Sequence, residues 1–202
     1  MFRFIESIKV EEQKAFLLEY HQKRVNDTFK HFKKENPPDL LQIFRNLLHQ
    51  KNGLFKLRIL YDLQGNYNCE IQHYSVPLIS DFQLLNGDDL KYCFKYENRQ
   101  FFTELKSEAK AAEIIIVQNG HITDTSFSNL IFLRNETWFT PYTFLLNGIQ
   151  RQFLLKNNQI KETRITVENL KTFSHFRVIN AMNDMNSGII YPIEKIINLL
   201  GY

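Results

Sequence analysis

Asn147 and Gly148 precede the segment 149–156, which is predicted to form a helix, and this junction could bind an anion. The first backbone N–H groups of a helix have no acceptor inside the helix. A helix start that is exposed after a glycine is therefore a potential phosphate site. Most such starts are only capped or hydrated, so the pattern alone leaves both interpretations open.

Two apolar runs upstream of this helix alternate with turn residues, as β-strands do: 114–117 and 130–133. Thr140 and Pro141 should interrupt the ladder, because proline cannot donate to it. Within 120–151 the motifs T-D-T-S-F-S-N-L, T-W-F-T-P and N-G-I-Q-R follow in this order. The order resembles the cofactor-binding half of the class IV aminotransferase family. These are the fold-type IV pyridoxal-phosphate (PLP) enzymes, which include branched-chain and D-amino acid aminotransferases and 4-amino-4-deoxychorismate lyase.

Lys95, in the string K-Y-E-N-R, is the catalytic residue that the resemblance implies. Most lysines are solvated surface charges, and the string alone does not distinguish this one. The lyases of the family carry K-x-x-N-R around the lysine that binds PLP covalently, and Lys95, Asn98 and Arg99 match that motif. Such an amine must be neutral to act as a nucleophile, which requires burial or nearby positive charge. Lys91 and Arg99 are candidates for that charge.

Asp124 matches the position at which the family normally has a glutamate paired with the protonated pyridine nitrogen of PLP. That pairing keeps the ring an electron sink. Aspartate carries the same charge but is one methylene shorter, so the ring must sit closer or a water must intervene. An Asp-Thr-Ser string is also a common turn.

Three places would hold the cofactor phosphate. Arg24, in H-Q-K-R, matches the family's H-x-x-R, whose arginine pairs with the phosphate through its planar fork. The alternative for Arg24 is a surface charge on a helix. Ile149 and Gln150 would offer backbone N–H groups at the helix start, although the family often has threonine at the position of Gln150.

The third phosphate-binding place is the string N-A-M, formed by Asn180, Ala181 and Met182. It resembles the N-A-L or N-S-L of the lyases and would present backbone N–H groups and the asparagine amide. None of these motifs is specific by itself. They occur in the family's order across nearly the whole chain, and that colinearity carries the resemblance.

Composition excludes several classes of protein. The chain has 202 residues, enough for one large or two small domains, with 44% hydrophobic and 23% charged residues as in globular proteins. A net charge of +3, with basic residues spread along the chain, argues against a nucleic-acid partner. Two cysteines and six histidines without metal spacing predict neither a disulfide framework nor a metal site. No signal peptide or membrane span is predicted, so the cytoplasm is expected.

Strands and helices mix without a regular βαβ rhythm, which predicts the α+β class. A strand is predicted at 2–9, while 11–34 is either one long helix or a hairpin followed by a helix at about 19–34; the resemblance favours the hairpin. Asp39 should cap a helix over 40–50. The remaining predictions are strands at 55–61 and 67–76, a linker at 80–89, a helix at 96–112, strands at 162–166, 176–180 and 189–191, and a terminal helix.

The resemblance implies a two-lobed fold-type IV architecture like that of D-amino acid aminotransferase. Residues 1–85 would form a small lobe and 90–202 a larger, cofactor-binding lobe, and the family usually works as a homodimer. The implied function is a PLP-dependent lyase that acts on a small amino substrate, converting 4-amino-4-deoxychorismate to 4-aminobenzoate and pyruvate. One alternative is an amino acid aminotransferase. Another is a non-catalytic relative, which the aspartate at 124 and the reduced small lobe would favour.

Overall fold

A computed structural model of the chain describes residues 3–47, 52–185 and 189–199. The chain divides into two compact units: Met1–Val76 with Phe94–Asn98, and Pro77–Cys93 with Arg99–Tyr202. Both units combine strands with helices, and the predicted α+β class is confirmed. None of the helices in the described ranges has the length and apolarity needed to span a membrane.

The first unit contains a four-stranded antiparallel sheet with two helices. Its elements are β1 (Phe4–Glu11), β2 (Lys14–Ala15), α1 (Leu18–His31), α2 (Leu40–Arg45), β3 (Leu54–Tyr61) and β4 (Tyr67–His73). The strand order is β2-β1-β3-β4. Glu12 and Gln13 turn the first hairpin with φ of 47° and 64°. The hairpin prediction is therefore confirmed, and the single long helix is wrong.

The core of the first unit lies between β1, β3 and the two helices. Phe4, Ile8 and Val10 of β1 are fully buried and pack with Val25 and Phe29 of α1. Alternate strand residues share a face, so these β1 residues define the face of the strand that covers the core. Glu6 lies on the same face and is also fully buried.

Helix α2 begins where the sequence predicts but is shorter. The Asp39 carboxylate accepts hydrogen bonds from the N–H groups of Leu41 and Gln42, as an N-cap does. The helix ends at Arg45 and not at residue 50, because Asn46 forms a turn and Leu47 lies outside regular secondary structure. Positions 48–50 of that prediction lie outside the described residues.

The second unit contains two sheets and two helices. Its elements are β5 (Phe82–Asn86), α3 (Gln100–Ser107), β6 (Glu113–Gln118), β7 (His121–Thr125), β8 (Asn129–Arg134), β9 (Thr137–Pro141), α4 (Ile149–Lys156), β10 (Lys161–Thr163), β11 (His175–Ile179) and β12 (Tyr191–Pro192). The strand orders are β5-β6-β7 and β10-β9-β8-β11-β12. Aromatic and aliphatic side chains from both sheets form one core cluster.

Three sequence predictions for this region are wrong. The middle of the expected linker at 80–89 is strand β5, which pairs in parallel with β6 and buries Phe82 and Leu84 completely. The helix expected over 96–112 spans only 100–107, because residues 94–98 belong with β1. Instead of a terminal α-helix, the described part of the C-terminus has a 3-10 turn at Ile193–Lys195.

Candidate active site

Lys95 lies in a short segment that is held against the edge of β1. The Ile5 N–H donates to the Lys95 carbonyl at 3.0 Å, and the Glu97 N–H donates to the Arg3 carbonyl at 3.0 Å. Phe4 and Tyr96 form an antiparallel bridge, and their rings stack with centroids 5.4 Å apart. Lys95 itself is half-buried, so it is not a fully solvated surface charge as most lysines are.

A buried charge cluster faces α1 from β1 in the same unit. Arg24 donates through Nε to Oε1 of Glu6 at 2.8 Å and through Nη2 to Oε2 at 2.5 Å. His21 Nδ1 lies 2.5 Å from Oε2 of the same carboxylate. Glu6 and His21 are both fully buried, while the Arg24 side chain is 13% exposed. Arg24 is therefore a core-facing residue with an exposed tip and not a surface helix charge.

The charge states of this cluster follow from burial and contact. Burial acts to raise the pKa of Glu6, but the Arg24 charge and the hydrogen bonds from His21 and Arg24 outweigh it and hold the pKa at about 2. Burial lowers the pKa of His21; its bond to Glu6 opposes this, while the charges of Arg24 and Lys95 lower the pKa further. At neutral pH Glu6 is thus ionised and His21 is neutral.

The contact with Glu6 also determines the tautomer of His21. An ionised carboxylate can only accept hydrogen bonds, so the neutral ring must carry its proton on Nδ1. Nε2 is then an acceptor, and this buried atom has no hydrogen-bond partner among the described residues. His21 therefore cannot donate from Nε2 to an anion, and Arg24 is the donor of this pair.

Acid should weaken folding through Glu6. Its ordinary pKa of 4.5 falls to about 2 in the folded chain, so its stabilising contribution is complete above pH 4.5 and is lost as the pH falls towards 2. The shift corresponds to about 3 kcal/mol. We expect the free energy of unfolding in urea to fall more between pH 5 and 3 for the wild type than for Glu6→Gln. Equal slopes for the two proteins would contradict this assignment.

In the second unit, the Asp124 carboxylate on β7 is held by three donors. Asn129 Nδ2 donates to Oδ1 at 2.7 Å, and the N–H groups of Leu145 and Leu146 donate to Oδ2 at 3.1 and 3.0 Å. Burial raises the pKa of Asp124 to about 6, while these bonds and the Arg151 charge act to lower it. A carboxylate has about four lone-pair sites, so among the residues that the structure describes one site on Oδ1 remains for a further donor.

Asn129 ties this carboxylate to the start of α4. Its Nδ2 also donates to the Leu146 carbonyl at 2.8 Å, and its Oδ1 accepts from the Gly148 N–H at 3.1 Å. A Cβ on residue 148 would overlap Oδ1 of Asn129. Glycine is therefore required here by the close approach of the Asn129 side chain, since its φ of −67° is open to any residue.

Gly148→Ala should lower stability by about 1–3 kcal/mol, the usual cost of overpacking, and the melting temperature by roughly 2–10 °C. The added methyl must displace Asn129 and break its bonds to Asp124 and Gly148. Thermal melting of Gly148→Ala, Asn129→Ala and the double variant measures this. In the Asn129→Ala background, Gly148→Ala should lower the melting temperature only slightly. Additive losses would show that the two residues do not interact.

The N-terminus of α4 has the features of an anion site. The helix spans Ile149–Lys156 as predicted, and Gly148 is an extended N-cap. Within the described ranges no side chain caps the helix, and the N–H groups of Ile149 and Gln150 find no acceptor. Arg151 holds the first turn in place through bonds from Nη1 to Asn147 Oδ1 and from Nη2 to the Pro141 carbonyl, both 3.0 Å.

The Asn180-Ala181-Met182 turn offers fewer donors than the sequence predicts. The Asn180 N–H donates to the Asn183 carbonyl, and the Met182 N–H donates to Asn180 Oδ1 at 2.8 Å. The Asn180 amide donates to Ser128 Oγ at 2.8 Å, which ties this turn to the T-D-T-S-F-S-N-L segment. Of the three backbone N–H groups, that of Ala181 has no acceptor in the described part of the chain.

Arg99 and Lys106 of the second unit line a pocket of about 350 Å³ together with Phe102, Ser126 and Phe127. Arg99 donates to the Ser126 carbonyl, and its guanidinium lies 4.7 Å from the centroid of the Phe102 ring. Lys106 pairs with the buried Glu113 at 2.8 Å. Cations and aromatic rings on one wall would suit an anionic ring compound.

The structure thus groups the predicted residues within each unit. Arg24 and Lys95 share the first unit, and the charges of both lower the pKa of His21. Asp124, Ile149 and Gln150 are linked in the second unit through Asn129 and Gly148. The predictions missed Glu6 as a candidate site residue, although its position between Phe4 and Ile8 on an alternating strand was a usable signal.

The residues present fit the chemistry of PLP. An amine that is half-buried suits an aldehyde, an arginine tip and unpaired helix-start N–H groups suit a phosphate, and a buried carboxylate with one open lone-pair site suits a protonated ring nitrogen. These matches concern each group separately. They do not identify the reaction.

Residues 3–187 match the protein family described as amino-transferase class IV. An uncharacterized Haemophilus influenzae protein is 31% identical over 191 residues, covering 92% of this chain and 100% of that protein. A crystal structure from Haemophilus somnus, of a candidate 4-amino-4-deoxychorismate lyase, is 32% identical with a TM-score of 0.86, covering 92% and 98% of the two chains. A PLP-bound aminotransferase structure from Mycobacterium tuberculosis, called hypothetical, shares the fold at 14% identity and a TM-score of 0.73, covering 94% and 80%.

Proposed function

The chain belongs to the amino-transferase class IV family, and from that premise we propose that it is a PLP-dependent lyase converting 4-amino-4-deoxychorismate to 4-aminobenzoate and pyruvate. The observation that carries the proposal is the K-Y-E-N-R segment, in which Lys95 is half-buried against β1. The similarity over 92% of this chain to the Haemophilus somnus protein supports the lyase over the other members.

Lys95 has two tasks in this proposal. Its amine would hold PLP covalently at the aldehyde carbon. When it is not bound to the cofactor, the same amine would take the proton from the ring carbon that bears the substrate amine and deliver a proton to the departing enolpyruvyl group. The carbon–oxygen bond to that group breaks, pyruvate leaves, and the aromatic ring of 4-aminobenzoate drives the step. PLP supplies the electron sink for this bond cleavage.

The other residues bind and orient. Arg24 and the N–H groups of Ile149, Gln150 and Ala181 are proposed to hold the phosphate. Asp124 is proposed to accept from the ring nitrogen through the open lone-pair site on Oδ1. The three donors already on its carboxylate favour the ionised form, which this pairing needs.

Positive charge is also available for the substrate, which carries carboxylates. Arg99 and Lys106 line a pocket with the rings of Phe102 and Phe127, and we propose this wall as a carboxylate contact. Glu113 neutralises Lys106, so Arg99 is the stronger candidate.

An aminotransferase is the second candidate, because solved structures that share the fold over 94% of the chain include aminotransferases. Both reactions begin with the same exchange of amines, so cofactor residues do not separate them. Purified protein loaded with PLP should be assayed for pyruvate release from 4-amino-4-deoxychorismate and for amino transfer to 2-oxoglutarate. Pyruvate release without transfer supports the lyase, and transfer alone overturns it. A folded protein that fails to bind PLP would indicate a non-catalytic relative.

A further inference from the structure

We infer that Glu6 is a positioning residue, which holds the Arg24 guanidinium in the orientation that receives the phosphate of PLP. The inference rests on the proposed function, since it assumes that the phosphate binds at Arg24. It is carried by the two-point contact between Glu6 and Arg24 and by the third contact from His21.

The ion pair stabilises the ionised form of Glu6, but core packing does not require a charged residue at this position. The strand places its carboxylate between Phe4 and Ile8, on the face that covers the core, where burying a charge costs several kcal/mol before pairing. Replacing such buried ion pairs by apolar residues is often neutral or stabilising. A charge kept in this place is therefore better explained by what it holds.

The geometry fixes the orientation of the Arg24 guanidinium. Glu6 takes the Nε–H and one N–H of Nη2, which are two of the five donors of the guanidinium. The plane of the group is fixed by this fork, and β1 is itself held by an eight-residue antiparallel register with β3. A phosphate that binds at Arg24 therefore meets a guanidinium whose plane cannot turn freely.

His21 completes the arrangement. Its Nδ1–H donates to Oε2 of Glu6, to which Arg24 also donates. The Glu6 carboxylate is therefore held by both residues and cannot rotate away from Arg24. The three side chains together carry no net charge, because Glu6 and Arg24 cancel and His21 is neutral. The cluster therefore acts on an anion through the fixed direction of the Arg24 donors and not through a diffuse positive charge.

Two physical effects of Glu6→Gln have opposite signs, which makes the test sharp. Loss of the fork frees the guanidinium to turn and should weaken phosphate binding. Loss of the negative charge leaves Arg24 uncompensated and should strengthen its attraction for a dianion. If Glu6 acts by positioning, the loss of the fork outweighs the gain in attraction, and Glu6→Gln binds the phosphate more weakly.

The experiment compares the affinity of the apo-protein for PLP and for pyridoxal, which lacks the phosphate, by absorbance titration. Glu6→Gln should weaken PLP binding about tenfold or more, as for one lost charge-assisted hydrogen bond, and should leave pyridoxal binding within about twofold. Arg24→Gln should give the same pattern, and the double variant should lose no more than Arg24→Gln alone. Equal weakening of both ligands, or tighter PLP binding, would overturn the inference.

Glu113→Gln is the matched control. Glu113 is also a buried carboxylate with a cationic partner, Lys106, and it accepts from two backbone N–H groups. The same substitution there should lower the melting temperature without changing the ratio of PLP to pyridoxal affinity. A changed ratio of PLP to pyridoxal affinity in Glu113→Gln would mean that a general loss of stability, and not positioning of Arg24, explains the effect of Glu6→Gln.

A second measurement covers the case in which Glu6→Gln does not fold. In wild-type protein labelled with ¹⁵N-arginine, the Arg24 Nε–H signal should be protected from exchange and should persist when PLP is added. Loss of that signal would show that phosphate displaces Glu6, which contradicts the inference. If the wild type binds no PLP, the proposed function fails; if PLP is fixed on Lys95 but Glu6→Gln binds it normally, only the positioning role fails.

Discussion

Lys95→Ala should yield a folded protein that forms no borohydride-stable adduct with PLP and releases no measurable pyruvate. The substitution removes both the covalent anchor and the group that moves the proton. Proton transfer by a positioned side chain alone is typically worth about 10²- to 10⁴-fold in rate, so we expect a loss of about 10⁴-fold or more. Reduction with borohydride followed by mass spectrometry of the peptides measures the adduct, and a coupled assay measures pyruvate.

Lys91→Ala is the control for this experiment. Lys91 lies four residues earlier and is exposed, so it has the chemistry of an amine without burial. It should retain both the adduct and the activity. An adduct on another lysine in Lys95→Ala, with pyruvate release intact, would refute the assignment of the catalytic residue.

Asp124→Asn should have the second largest effect, a fall of about 10²- to 10³-fold in turnover. The variant keeps the size of the side chain but removes the charge that would face the ring nitrogen. Removing one partner of a buried charge pair typically costs about 3–5 kcal/mol, and 1.4 kcal/mol corresponds to a factor of ten. Turnover with saturating PLP measures this loss, and thermal melting verifies the fold.

Asp124→Glu keeps the charge and restores the residue that the family normally has. The added methylene must be accommodated where Leu145, Leu146 and Asn129 already contact the carboxylate, so some stability should be lost. Its turnover should nevertheless exceed that of Asp124→Asn. If the two variants are equally impaired, the packing of residue 124 matters more than its charge, and the pairing with the ring nitrogen is not supported.

Local signals in the sequence were sufficient for several elements. Helix α4 begins and ends at the predicted residues. Both signals for it, the glycine before the helix and the spacing of its apolar residues, lie within ten positions of the chain. The cap of α2 by Asp39 was equally local, whereas the first hairpin was favoured over a long helix only by the family resemblance. Such features depend on neighbours along the chain, and a residue pattern is enough to predict them.

Nonlocal pairing explains the failures. Strand β5 was predicted as a linker because its partner β6 begins 27 residues after Asn86, at Glu113, and parallel pairing leaves no turn signal beside it. Residues 96–98 are predicted to be helical but lie in a segment held against β1, which is about 90 positions away in the chain. Periodicity within a short window contains no information about such distant partners.

The sequence by itself determined the family, the fold class and the identity of Lys95, Arg24 and Asp124 as the residues to examine. Only the tertiary structure decided what surrounds them. It brought His21 and Arg24 to Glu6 across 15 and 18 positions of the chain, and it placed three donors on Asp124 from residues up to 22 positions away. The reason is physical: charge state and orientation depend on burial and on contacts through space, and a linear pattern of residue types specifies neither.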